Sequence, residues 1–167
     1  PRSMPDGHQL IGWGMATGVW EAMQMPASAK ACIEPGGRLV VSSATADIGT
    51  GTYTVMTQIA AAAMGLPLER VEFRLGDSNL SKAPLEGGSA TVSSVGSAVQ
   101  KACEELRQKL LDAAQQSPVS MFTGAKLDDV EFADGQMRLK AAPEKSVEVG
   151  QIVAVSGMLE AEASVEP

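Results

Sequence analysis

Over 167 residues the sequence sets 20 Asp and Glu against 13 Lys and Arg, a net charge of −7, and it holds no Lys/Arg cluster. That excludes a nucleic-acid partner, which needs a basic face, and no apolar run approaches the ~20 residues of a membrane-spanning helix. With 4% aromatic residues, the core of a domain of this length must come from Ala, Val, Leu, Ile and Met. The chain opens Pro1-Arg2-Ser3-Met4, with neither an initiator Met nor a signal-peptide pattern, which points to a segment cut from a longer chain. Cys32 and Cys103 stand far apart without C-x-x-C spacing and are expected to be buried thiols acting as small hydrophobes. The single His, His8, lies in a polar leader. A protein-ligated zinc site and a Ser-His-Asp triad therefore lack the residues they need.

In chain order, residues 9–20 alternate small residues with apolar ones (L-I-G-W-G-M-A-T-G-V-W from Leu10) and read as a strand. Its glycines permit close backbone approach. Residues 29–33 and 38–43 flank Glu34-Pro35-Gly36-Gly37, whose turn chemistry predicts a hairpin. A helix is predicted over 55–64, with Val55, Met56, Ile59, Ala60 and Ala63 on one face. Gly65 ends it as a C-cap and Pro67 enforces the stop. Residues 71–75 alternate as a strand with one buried face. After a loop over 76–89, a long helix is predicted over 91–116. Its stripe is Val92, Val95, Val99, Ala102, Cys103, Leu106 and Leu110, and Glu104, Glu105, Arg107, Gln108 and Lys109 fill the solvent face.

Beyond residue 117 the character changes. Val130-Glu131-Phe132 and Gln136-Met137-Arg138-Leu139 surround Ala133-Asp134-Gly135, a second hairpin with a D-G turn. Residues 147–159 read as a short helix, and the tail 160–167 stops without a closing element. These elements predict an α+β fold, a mixed sheet with two main helices packed on it. Residues 1–116 form the core subdomain, and 117–167 a hairpin and short-helix extension truncated at its C-terminus.

Two segments carry the functional signal: I-G-T-G-T-Y-T at 48–54 and E-G-G-S-A-T-V-S-S at 86–94. Each is a Gly-rich loop followed at once by a helix. A helix N-terminus presents unpaired N–H groups and the positive end of its dipole, glycines let a ligand approach the backbone, and Ser and Thr add hydroxyls. Two such loops suit the two ends of a phosphorylated ligand. Taken singly, each reads more readily as an ordinary capped turn, with Thr52 or Ser89 satisfying the first helical turn. Neither matches G-x-G-x-x-G or a P-loop. From the residues alone the reading stops at anion-binding loops in an α+β domain.

The same residues carry a resemblance. Residues 43–78, with the Gly-x-Gly turn, a helix opening at a Thr, G-L-P and a strand ending in G-D-S, resemble the cofactor-binding region of the xanthine dehydrogenase and aldehyde oxidase family's large subunit. P-x-x-G-G-S-x-T followed by S-V-G-x-A-V, at 84–99, continues the pattern in order. Leu10-Ile11-Gly12-Trp13-Gly14-Met15-Ala16 and Met25-Pro26-Ala27-Ser28-Ala29 are similar to it too. The likeness covers about residues 9–116 and weakens beyond.

The resemblance implies one half of a larger molybdopterin-binding domain. In that family the large subunit holds molybdopterin, in bacteria often as its cytosine dinucleotide, with a molybdenum centre that hydroxylates aldehydes or N-heterocycles with oxygen from water. Electrons leave through [2Fe–2S] clusters to FAD on other domains or subunits. Carried over residue by residue, the first turn falls on Gly49, Thr50 and Gly51, with Thr52 opening the helix. The second falls on Gly87, Gly88 and Ser89, with Thr91 opening the long helix. The implied partners are the remainder of the large subunit, the iron–sulfur and FAD units and a small-molecule substrate, with no nucleic acid and no membrane.

The sequence departs from the family in two ways. Xanthine oxidases carry Gln where Thr50 stands, which leaves the form of the pterin open. The family's G-x-G-E motif, which carries its catalytic Glu, is not in these 167 residues, so no catalytic residue is assigned and the segment by itself is expected to be inactive. The cytoplasm is the expected compartment, with the periplasm open. The alternatives are a stand-alone small-molecule or phosphate-binding module that uses the two loops, and a structural domain in which they are tight turns.

Overall fold

The computed structural model describes residues 4–116 and 120–167. The first three residues of the leader and those just after the expected boundary at 116 lie outside it. Alternation of Ala with Ser, Lys and Cys over β3 (Ala27–Ile33) gives that strand one small apolar face. Ala27, Ala29, Ala31 and Ile33 are buried on it. The expected hairpin is present. Gly36 and Gly37, at φ 97° and 80°, turn the chain into β4 (Leu39–Ser42), which sets Val41 opposite Ala31 and Leu39 opposite Ile33. β5 (Val71–Arg74) then joins β4 in parallel. A parallel pair needs a crossover, and helix α1 (Thr52–Met64) supplies it.

The long helix opens at Thr91, passes through a π-helical turn over Val92–Gly96, and continues as α2 (Ser97–Gln115). It lies across β3 and the last strand of the sheet, beside α1, which covers β5. Ala98 and Ala102 on the helix and Ala29 and Ala31 on the sheet are all buried. Small side chains on both surfaces fill this interface without aromatics. A side chain at Gly96 would begin 2.8 Å from Ile59 Cδ1, so a glycine is what lets the two helices meet there. The expected mixed sheet with two helices packed on it is this arrangement, with strand order β5-β4-β3-β9, where β9 is the last strand, Leu159–Val165.

A second, three-stranded sheet is a meander of β6 (Val130–Ala133), β7 (Gln136–Leu139) and β8 (Ala142–Glu148). Asp134 and Gly135, at φ 53° and 76°, give the D-G turn the two left-handed residues that a tight hairpin prefers. The Arg107 guanidinium lies 4.7 Å from the centre of the Phe132 ring, so this residue stacks on the second sheet instead of standing in solvent.

Three expectations are corrected. The strand read over 9–20 is not formed: only β2 (Gln9–Leu10) pairs, with β1 (Pro5–Asp6), and residues 11–26 belong to no helix or strand. A strand exists only beside another, and these residues have the pattern without the neighbour. The helix read over 147–159 is shorter, α3 (Val149–Ser156), because its ends belong to β8 and to β9 (Leu159–Val165). The tail, read as unclosed, is β9 itself, antiparallel to β3 over all seven residues of each. It turns Ala161 and Ala163 into the core. Lys101 and Lys109 of α2 donate to the Ser164 and Glu160 carbonyls of β9 at 3.0 and 2.6 Å, which covers acceptors that a sheet edge leaves open.

Both cysteines are free thiols. Cys103 is buried as expected, and burial pushes its thiol up to about 12, with Glu104 adding to the effect. Cys32 lies on the outer face of β3 and is only partly covered.

Candidate functional site

In the first loop the chain needs left-handed backbone at Gly49 and Gly51, φ 98° and 82°, before α1 starts at Thr52, three residues earlier than periodicity suggested. Three of the N–H groups at this turn are already taken by the protein itself. Asp47 Oδ1 accepts from the Gly49 and Gly51 N–H at 2.8 and 3.3 Å, and its Oδ2 accepts from the Tyr53 N–H at 3.3 Å. The anion at this helix start is therefore the protein's own carboxylate. These bonds, led by that from Gly49 and followed by those from Tyr53 and Gly51, hold the Asp47 carboxyl below its ordinary range.

The sign of that shift sets a pH dependence. A carboxylate with a lowered folded pKa stabilises the fold above its unfolded pKa, and the contribution disappears as pH falls through the folded value. Asp47→Asn is expected to melt below the parent at neutral pH, with the gap narrowing below pH ~4. Melting curves across that range check this, and a gap of constant size would contradict it.

The second loop is built differently. Gly88 and Ser89 are both left-handed, φ 61° and 59°. Neither Thr52 nor Ser89 acts as the side-chain cap expected of an ordinary turn: Gly51 stands at the N-cap of α1, and no side chain caps the turn that begins after Thr91. First-turn N–H groups have no intrahelical acceptor; the Ala90 and Ser94 N–H are taken by the Gly87 and Ala90 carbonyls at 3.2 and 2.9 Å, which leaves those of Thr91, Val92 and Ser93 for a ligand. The Glu86 carboxylate ties this loop to the segment that follows β4: its Oε2 accepts from Thr91 Oγ1 at 2.7 Å and from Thr45 Oγ1 at 3.3 Å. Thr45 and Thr91 are both buried. With its proton directed at Glu86, the Thr91 oxygen keeps lone pairs to accept from a ligand.

The two loops converge. One cavity of about 340 Å³ is lined by Ile48, Thr50, Thr52 and Val55 from the first and by Glu86, Gly87, Gly88, Ser89, Thr91 and Val92 from the second. Six of the eight residues expected at the site thus line one cleft. Gly49 and Gly51 do not line it and instead shape the turn that presents Thr50 and Thr52, whose hydroxyls stand 3.3 Å apart. Val92, expected in the core stripe, is 49% exposed and lines the cleft, while Val95 is fully buried. The π-helical turn over Val92–Gly96 explains this, since one extra residue per turn shifts the phase of the stripe. Such turns recur at functional sites.

Sequence reasoning missed Asp47 and Glu86. An Asp two residues before a Gly is an Asx-turn signal and marks Asp47. Glu86 has no comparable signal, because its partner Thr45 is distant in the chain.

The donor set fits part of a pterin cofactor. Helix-start N–H groups suit phosphate oxygens, Ile48, Val55 and Val92 offer an apolar wall to a ring face, and hydroxyls with one carboxylate can accept from ring amino groups. No Lys or Arg lines the cleft, so recognition of an anion there depends on backbone and hydroxyl donors. A cavity of about 340 Å³ is at the low end of cofactor pockets, which run to about 1,000 Å³, so a pterin nucleotide would need further walls.

Comparison with known proteins gives the same direction. Residues 2–166 match the family model of the molybdopterin cofactor-binding domain. The chain is 34% identical over 137 residues to the aldehyde oxidoreductase molybdenum-binding subunit of Escherichia coli O157:H7 and 33% identical to that of strain K12. Each alignment covers 82% of this chain and 18% of the relative, so the chain spans less than a fifth of these relatives. Among solved structures, CO dehydrogenase from Oligotropha carboxidovorans matches with a TM-score of 0.72 at 22% identity, over 86% of this chain and 18% of that one. Quinoline 2-oxidoreductase from Pseudomonas putida 86 matches with a TM-score of 0.67 at 24% identity, over 85% and 19%. These two likenesses establish a shared fold. With the family model spanning nearly the whole chain, this protein belongs to the molybdopterin cofactor-binding domain family.

Proposed function

We propose that this chain forms one wall of the cofactor cradle in the large subunit of a molybdenum hydroxylase, an oxidoreductase that hydroxylates aldehydes or N-heterocycles with oxygen from water. The observation that carries the reading is that two loops distant in sequence line a single cleft. The activities for which relatives are named, aldehyde oxidoreductase and quinoline 2-oxidoreductase, support the substrate class.

In this reading the N–H groups at the start of the long helix and the Ser89 hydroxyl donate to the cofactor. Thr50, Thr52 and Thr91 contribute hydroxyl oxygens, and Gly87 and Gly88 let it approach the backbone. Gly49 and Gly51 hold Thr50 and Thr52 in place. When bound, Mo-molybdopterin or its cytosine dinucleotide supplies the two-electron oxidation, and [2Fe–2S] and FAD units on partner domains or subunits take the electrons. The segment supplies binding and orientation and has no activity by itself. Among the described residues no helix is long and apolar enough to cross a membrane; the cytoplasm is the proposed compartment.

The test is the molybdenum and pterin content of the full-length subunit carrying Ser89→Ala and Thr91→Val. Two hydrogen bonds at ~1 kcal/mol each correspond to cofactor affinity roughly thirtyfold weaker. Thr45→Val removes the other bond to Glu86 without touching the cleft, and it should leave the content near that of the parent. Full content in the double variant would place the cofactor elsewhere.

A further inference from the structure

The stretch at 11–20 is strand-like in pattern and unpaired in structure. Large apolar side chains stand on alternate residues, with Trp13 85%, Met15 96% and Val19 91% exposed. Gly12, Gly14, Ala16 and Gly18 alternate with them, and Trp20, itself 76% exposed, ends this small-residue side of the stretch. In this chain those glycines have no purpose: none needs a left-handed backbone, and a Cβ added at any of them meets nothing within 4 Å. No hydrogen bond is made by residues 12–22 among the described residues.

The stretch is nevertheless held at its C-terminal end. The Met23 carbonyl accepts from Ser93 Oγ, Gln24 Nε2 donates to the Ser93 carbonyl at 3.3 Å, and the Met25 N–H donates to Ser94 Oγ at 3.0 Å. An alternating strand with one bulky face, one glycine face and unused backbone groups is built to lie beside another strand.

We propose that residues 11–20 are a donor strand that adds to a sheet edge in the part of the same large subunit outside these 167 residues. Its Trp13, Met15 and Val19 face enters an apolar surface there, and its glycine face admits the partner's side chains. The occupant is the rest of the subunit because this chain accounts for 18% of the length of its relatives and because the strand is anchored beside the proposed cofactor cleft, where a second wall is needed. The inference thus rests on the reading of the chain as part of a larger cofactor-binding subunit.

The experiment is hydrogen exchange on the full-length holo-subunit, with molybdenum content measured on the same sample. Amides 12–20 are expected to exchange at least ~100-fold more slowly than in an unstructured peptide. Gly14→Val is expected to remove much of that protection, although nothing within this chain opposes it. Unprotected amides in a molybdenum-loaded subunit overturn the donor strand and leave the cofactor reading intact. Protected amides in a subunit that never loads molybdenum uphold the strand and count against the cofactor reading. Protection that disappears on dilution as a dimer separates makes a second copy the occupant and overturns the proposal, as does unchanged protection in Gly14→Val.

Discussion

Gly65→Ala is expected to lower the melting temperature by roughly 6–12 °C, an effect set by a clash that no rotamer can relieve. Gly65 ends α1 in the left-handed conformation, φ 60° and ψ 36°, and its N–H returns to the Ala61 and Ala62 carbonyls. A Cβ there would lie 2.1 Å from the Phe132 carbonyl oxygen and 2.3 Å from its carbon, both backbone atoms of β6. The left-handed penalty alone is ~1–2 kcal/mol. Parting α1 from β6 would also break the bond from the Gly135 N–H to the Gly65 carbonyl, 2.9 Å long, for about another 1 kcal/mol. With the residual overlap against the Phe132 backbone added, a total near 3 kcal/mol follows, at ~2–4 °C for each kcal/mol in a chain of this size. Gly76 is the control: it too is left-handed, φ 82°, but a Cβ there meets nothing within 4 Å. Gly76→Ala should show only the conformational cost, and equal losses at the two sites would mean that the α1–β6 contact yields.

The second large effect is on cofactor loading. Gly88→Val in the full-length subunit is expected to reduce bound molybdenum and pterin more than tenfold, because a branched side chain at the cleft wall blocks approach to the backbone. From sequence, this substitution is expected to leave the stability of the cofactor-free protein almost unchanged. The structure revises that expectation. Gly88 is left-handed and its Cβ would meet Met23 Cε at 2.4 Å. The Met tip can move aside, so the stability loss should stay near the ~1–2 kcal/mol conformational penalty. Metal content and melting temperature measured on one preparation separate the two effects. Full loading despite the lower melting temperature would remove Gly88 from the cofactor wall.

What was legible in the sequence followed from local chemistry. Pro35-Gly36-Gly37, the Asp134-Gly135 turn and the Gly65 cap each specify a backbone conformation within a few residues, and all three are where they were read. What was not legible depended on partners. Residues 10–20 have the alternation of a strand but no neighbour in this chain. Residues 159–165 alternate through short Ala side chains, and only β3 makes them a strand. At the site, the motifs marked two loops, and helix-start physics suggested equal anion-binding roles for them. The structure makes them unequal, because Asp47 accepts from three N–H groups of the first, while no side chain accepts from the N–H groups that open the second helix. Glu86 and Val92 owe their places in the cleft to a tertiary bond and to a π-helical turn, neither of which leaves a pattern in sequence.

The cleft between residues 48–54 and 86–94 is the proposed place where this chain meets the cofactor. An experimental structure of the full-length subunit with molybdenum cofactor bound tests it most directly. The expected result is a cofactor oxygen or nitrogen ~2.7–3.2 Å from a Ser89 or Thr91 donor or acceptor, with Asp47 still bonded to its own loop. A cofactor seated beyond hydrogen-bonding reach of both loops would contradict the account.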